Sequence, residues 1–124
     1  IIGMNRRIRI DNLTPHGVRI VDEQGNLLVE IPPSGQVARL VEEVSRKGDL
    51  EVEGEKISLY QKKMGRVEGL PAPKEGTLYI VSLPVAQALA GLRNDLVVPH
   101  PLVRDSEGKV IGAGGLAFVG GGQE

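Results

Sequence analysis

The sequence predicts a β-rich α+β domain: a small, partly open β-barrel or curled mixed sheet with one helix, residues 82–91, packed on it. Three observations lead there. Seventeen glycines and eight prolines among 124 residues suit short strands joined by tight turns. Apolar residues recur in short runs that alternate with charge, and a single segment reads convincingly as helix. Tyr60, Tyr79 and Phe118 are the only aromatics, so the core has to be built from Val, Leu, Ile and Ala.

Residues 1–4 read as a leader or tag remnant ahead of Met4, and residues 5–119 as one domain. In residues 6–10, Arg7 and Arg9 alternate with Ile8 and Ile10, the period of a strand with one wet face. Asp11-Asn12-Leu13-Thr14-Pro15 is turn chemistry. Residues 18–22 and 27–31 form a hairpin around Glu23-Gln24-Gly25-Asn26, and Pro32-Pro33-Ser34-Gly35 stops its second strand. Residues 36–44 fit either period; the β-branched content favours a strand. Residues 46–55 are polar and carry Gly48 and Gly54, so a hairpin tip or mobile loop is expected. Residues 57–61 are a further strand, and residues 65–76, with three glycines and two prolines, an extended connector.

Thr77-Leu78-Tyr79-Ile80-Val81-Ser82 is the strongest strand, suited to a central buried place. The helix follows, with Ser82 as cap, Pro84 in the first turn, Val85, Ala86, Ala88, Leu89 and Leu92 as its apolar face, and Gly91 to end it. Residues 96–98, 102–104 and 109–111 are short strands, and residues 120–124 a flexible tail.

Composition narrows function mainly by exclusion. No cysteine is present, which removes disulfides, thiolate metal sites and a cysteine nucleophile. Fifteen basic and sixteen acidic residues leave a net charge of -1, against a general nucleic-acid binder, and the scarcity of aromatics removes base-stacking platforms. No apolar stretch reads as a membrane span or a signal peptide, so a cytoplasmic protein is expected, in the host cytoplasm or the virion if it is phage-encoded. The lack of Cys and the wealth of Arg, Glu and Pro fit a thermophilic source. The edge strands of so small a sheet favour a homo-oligomer.

Two segments echo one another. Pro15-His16, a strand, Asp22-Glu23 with Gly25 and a return strand resemble Pro99-His100, a strand, Asp105 with Glu107 and Gly108, and a return strand. Either hairpins simply look alike, or the halves form a pseudo-symmetric barrel. Gly112-Ala113-Gly114-Gly115-Leu116-Ala117 matches a dinucleotide fingerprint in letters only, since too little chain follows to form the helix and second strand that the mechanism needs. Ser34 reads as a turn serine and Ser82 as a cap. His16 and His100 lack metal-ligand spacing, and no metal or other cofactor is expected.

The arginines carry more information. Arg39, Arg93 and Arg104 lie in or beside apolar runs, where a guanidinium needs a partner. Asp95 and Asp105 are the structural candidates; a phosphate or carboxylate, which the guanidinium grips with two bonds, is the functional one.

Several blocks occur in a recognisable order: Leu13-Thr14-Pro15-His16; Ile31-Pro32-Pro33-Ser34-Gly35 with Ala38-Arg39; Gly69-Leu70-Pro71-Ala72-Pro73; Gly76-Thr77-Leu78-Tyr79-Ile80-Val81-Ser82; Val85-Ala86; Arg93-Asn94-Asp95; and Val103-Arg104-Asp105 with Gly108-Lys109-Val110-Ile111-Gly112. In these the chain resembles a family of uncharacterised small proteins recurring in bacteriophage, prophage and bacterial genomes. The resemblance implies a mobile-element context and a shared fold. Its recurring polar positions fall on His16, Ser34, Arg39, Ser82, Arg93, Asp95, Arg104 and Asp105. Ala113-Gly114 stands where that family often has Cys-Arg.

The expected function is a small binding protein without turnover, holding an anionic, nucleotide-like ligand through inward arginines, with His16, Arg39, Arg93, Asp95, Arg104 and Asp105 as its site. Two other readings stay open. One is a virion accessory or host-protein-binding interaction protein. The other is an enzyme on a phosphorylated substrate with a histidine base.

Overall fold

A computed structural model describes residues 7–120. The expected leader, and the expected tail beyond Gly120, lie outside the described residues. The strands are β1 (Arg9–Asn12), β2 (Val18–Val21), β3 (Leu27–Ile31), β4 (Arg39–Val52), β5 (Glu55–Glu68), β6 (Thr77–Ile80), β7 (Leu96–Pro99), β8 (Leu102–Arg104), β9 (Val110–Ala113) and β10 (Leu116–Phe118); helix α1 (Leu83–Ala88) follows β6. They form a sheet ordered β1-β6-β7-β10, a second ordered β3-β2-β9-β8, and a two-stranded ribbon of β4 and β5. The protein is therefore β-rich with mixed sheets, none of them closed into a barrel. Among the described residues no helix is long and apolar enough to cross a membrane.

The centre is β6, as its run of Thr, Leu, Tyr, Ile and Val predicts. It lies between β1 and β7 and is parallel to both. Strand alternation sends Tyr79 and Val81 to one face, where they pack with Leu13, Ala38, Val85, Ala86 and Leu96. Ile80 goes to the other face and meets Val18 and Val97. Parallel neighbours cannot be joined by a tight turn, so the chain crosses from β6 to β7 through α1. The Tyr79 hydroxyl donates to the Ala72 carbonyl at 3.3 Å and fastens the proline-rich connector to the core.

Three expectations need correction. The helix spans Leu83–Ala88, shorter than residues 82–91, because Leu89 already leaves helical geometry at φ -110°, ψ 10°. Ser82 precedes it without a side-chain capping bond, and Leu92 is 77% exposed rather than part of the buried face. Second, of the two forms expected for residues 46–55 the hairpin holds, with much longer strands, and the loop does not. These residues belong to the ribbon, whose strands pair from Arg39–Glu68 out to Val52–Glu55. Glu53 (φ 50°) and Gly54 (φ 84°) make its two-residue tip, the left-handed pair that suits a tight hairpin. Third, the internal echo is confined to hairpins. In both turns an aspartate Oδ1 accepts backbone N–H bonds from positions two and four residues on: Gln24 and Asn26 for Asp22, Glu107 and Lys109 for Asp105. The glycine three residues on has φ 87° at Gly25 and 84° at Gly108. The surrounding strands are not equivalent. β1 and β7 both run parallel to β6, whereas β2 and β8 run in opposite directions, β9 being parallel to one and antiparallel to the other. The likeness is turn chemistry, not a symmetric barrel.

Candidate functional site

Past α1 the chain reverses through Gly91 (φ 83°), with the N–H groups of Leu92 and Arg93 both donating to the Leu89 carbonyl. It then bends at Asn94 and Asp95 before entering β7, and this short bend sets the Arg93 and Asp95 side chains together. Arg93 Nε donates to Asp95 Oδ1 and Nη2 to Oδ2, both at 2.9 Å, and Nη2 also donates to the Pro71 carbonyl at 3.0 Å. The side chains are 18% and 10% exposed. The hydrogen bond to the Asp95 carboxylate raises the Arg93 pKa above its usual value despite burial, so the guanidinium stays charged.

Arg93 borders a cavity of about 540 Å³, which Pro73, Ala86, Leu92, Asn94, Phe118 and Val119 help to line. Leu92 and Phe118 are 77% and 63% exposed. The cavity mixes apolar walls with the polar groups of Arg93 and Asn94, and its arginine is already paired with a carboxylate.

The other expected site residues lie elsewhere. Arg39 begins β4 with Ala38 buried before it; strand alternation turns its own side chain to solvent. Arg104 is exposed on the edge strand β8, and its Nη1 donates to the Gly108 carbonyl at 2.9 Å, closing its own hairpin. Asp105 caps that same turn. Inward placement therefore holds for Arg93 and not for Arg39 or Arg104. His16 is exposed too, and its recorded bonds are to its backbone carbonyl, which accepts from Asn12 Nδ2 at 2.8 Å and Thr14 Oγ1 at 3.0 Å. Arg93 and Asp95 are brought together; His16, Arg39, Arg104 and Asp105 share neither a hydrogen bond with them nor a place in the lining of the cavity beside Arg93.

Asn12 escaped the sequence reading. It is 1% exposed; besides His16 it donates to the Ile31 carbonyl at 3.1 Å, and its Oδ1 accepts from Thr14 N and Oγ1. It ties the Leu13-Thr14-Pro15-His16 corner to the end of β3, a structural role for that motif. Ser34 bonds the backbone of Gln36 in a local turn. No histidine ring bonds a serine among the described residues, and no three His, Asp or Glu side chains there are grouped to hold a metal ion.

The second candidate surface is the ribbon. Residues 55, 57, 59, 61 and 63 of β5 share one face by alternation, together with their β4 partners Val52, Leu50, Gly48, Ser45 and Glu43. Toward the tip this face presents Leu50, Val52, Ile57 and Leu59, each 41–45% exposed. Nearer the body it becomes a polar concavity of about 380 Å³, lined in part by Glu43, Lys47, Gln61 and Lys63. The opposite face carries two ion pairs, Lys62 with Glu42 at 3.3 Å and Arg46 with Asp49, together with Glu51, Lys56 and the exposed Val44 and Tyr60. Comparison with known proteins finds no matching family model, no similar curated protein and no similar solved structure.

Proposed function

We propose that this protein is a non-catalytic interaction protein that docks a protein partner along the β4–β5 ribbon. The observation that carries this is the stripe of Leu50, Val52, Ile57 and Leu59, four large apolar side chains set side by side on one exposed face of the ribbon. Contiguous exposed apolar surface rimmed by polar groups marks an interaction site. The mobile-element context implied by the family resemblance suits a virion component or a host protein as partner.

The arginines favour this reading over capture of a small anion. Arg93 commits Nε and Nη2 to Asp95 and Pro71, and Arg39 and Arg104 stand on exposed strand positions away from its cavity. The test is affinity purification of the tagged protein from its native source. A protein that co-purifies with the wild type and is lost with Leu50→Glu supports the reading. A small anion that co-purifies instead, and is lost with Arg93→Lys, overturns it.

A further inference from the structure

We infer that the ribbon's apolar face is covered by a second copy of the chain, two ribbons packing face to face and antiparallel about a two-fold axis. The inference rests on the reading of the ribbon as an interaction surface and names its first partner.

An isolated two-stranded hairpin is marginal in water; it gains independent stability from a further layer or strand. Beyond the Val44–Lys62 pair, nearly every described side chain of this ribbon is exposed, so the body of the protein supplies no such layer there. A two-fold interface uses the same patch twice and therefore has to be self-complementary. The ribbon face is organised that way. Its apolar rows, Leu50–Ile57 and Gly48–Leu59, lie between an acidic end and a basic one. The acidic end is the tip, with Glu53 and Glu55. The other end is the concavity, where Lys47 and Lys63 outnumber Glu43 and leave a net positive charge. Among the described residues none of Glu53, Glu55, Lys47 and Lys63 has an ion-pair partner within 4 Å, unlike Lys62 and Arg46 on the reverse face.

Place the axis between the two apolar rows. Leu50 and Ile57 of one copy then lie over Gly48 and Leu59 of the other, β4 on β4 and β5 on β5, and the acidic tip reaches the partner's Lys47–Lys63 concavity. Gly48 helps the fit: a Cβ there would meet nothing within 4 Å, so the position is an open seat for a branched side chain. A parallel arrangement would instead set acid on acid and lysine on lysine, which costs affinity.

Sedimentation equilibrium over a range of protein concentrations tests this, with circular dichroism as a folding control. The wild type should be a dimer that dissociates on dilution, and Leu50→Glu should be monomeric. Lys63→Glu should weaken the dimer about tenfold or more, and Glu53→Lys added to it should restore much of the loss. A dimer indifferent to Leu50→Glu, or a charge swap without rescue, overturns the arrangement. A wild type that stays monomeric also overturns it, and needs no variant to fold. That last result leaves the proposed function standing if Leu50→Glu still strips another protein from the native purification; if it strips nothing, both fall.

Discussion

Replacing Arg93 by lysine separates a structural guanidinium from a ligand-binding one. Arg93 makes three hydrogen bonds, two to the Asp95 carboxylate at 2.9 Å and one to the Pro71 carbonyl at 3.0 Å. Lysine keeps the charge, but its single ammonium cannot span both carboxylate oxygens and the carbonyl. At least one acceptor is left without its donor. A charge-assisted bond of this kind contributes about 1.5–3 kcal/mol where it is buried. The pair is 18% and 10% exposed, so water recovers part of the loss. The expected destabilisation is about 2 kcal/mol, and the melting temperature should fall by roughly 6–10 °C for a chain of this size. Asp95→Asn should cost about 3 kcal/mol, because it leaves the Arg93 charge facing a neutral group in a largely buried place. Urea unfolding of the ligand-free proteins measures both. An Arg93→Lys protein within about 0.5 kcal/mol of the wild type, or a wild type markedly stabilised by phosphate or nucleotides, would refute the reasoning and return Arg93 to a ligand.

Two further outcomes are expected. A Cβ at Gly65 would stand 1.8 Å from the Val41 carbonyl oxygen, a backbone atom with little freedom to retreat. Gly65→Ala should therefore lower stability by about 1–3 kcal/mol, or splay the ribbon where it leaves the body, as seen in denaturation midpoints and cross-strand NOEs. Asp22 is held below the usual carboxylate pKa, chiefly by the hydrogen bond from the Asn26 backbone N–H. A lowered folded value means that its stabilisation is complete above the ordinary carboxylate range and is lost as pH falls through the folded value. The Gln24 and Asn26 amide resonances should thus titrate below the ordinary carboxylate range in the wild type, and lose that titration in Asp22→Asn; a midpoint at or above the ordinary carboxylate value would contradict the turn geometry.

Local alternation made much of the fold legible. β6, the β2–β3 hairpin and the strands β7, β8 and β9 follow from short apolar runs bounded by turn residues, the acidic turns at Asp22 and Asp105 were visible as an echo, and β10 was hidden in a glycine-rich stretch. What was hidden depended on pairing across the chain. The ribbon's outer part left a hairpin tip and a loop both open because Gly48-Asp49-Leu50-Glu51-Val52 is polar at every second position and glycine-bearing; its pairing with 55–59 makes those residues strands. Asn12 looked like a turn residue because one of its acceptors, the Ile31 carbonyl, lies 19 residues away. The helix was drawn too long because Leu92 kept the apolar spacing while Leu89 had already left helical geometry. At the site, the two-residue spacing of Arg93 and Asp95 made their pairing foreseeable. The convergence of Arg39 and Arg104 on them was not supported by spacing, since each follows an inward residue on a strand and so faces out.

Amide hydrogen exchange across residues 44–60, at two protein concentrations, tests the ribbon interface most directly. A free ribbon leaves its outer amides to solvent and frays from the tip, giving fast exchange that ignores concentration. An interface slows exchange at Leu50, Val52, Ile57 and Leu59, and slows it further as concentration rises. Concentration-dependent protection over these residues is the expected result; rapid exchange at both concentrations would contradict the assignment of this face to a partner.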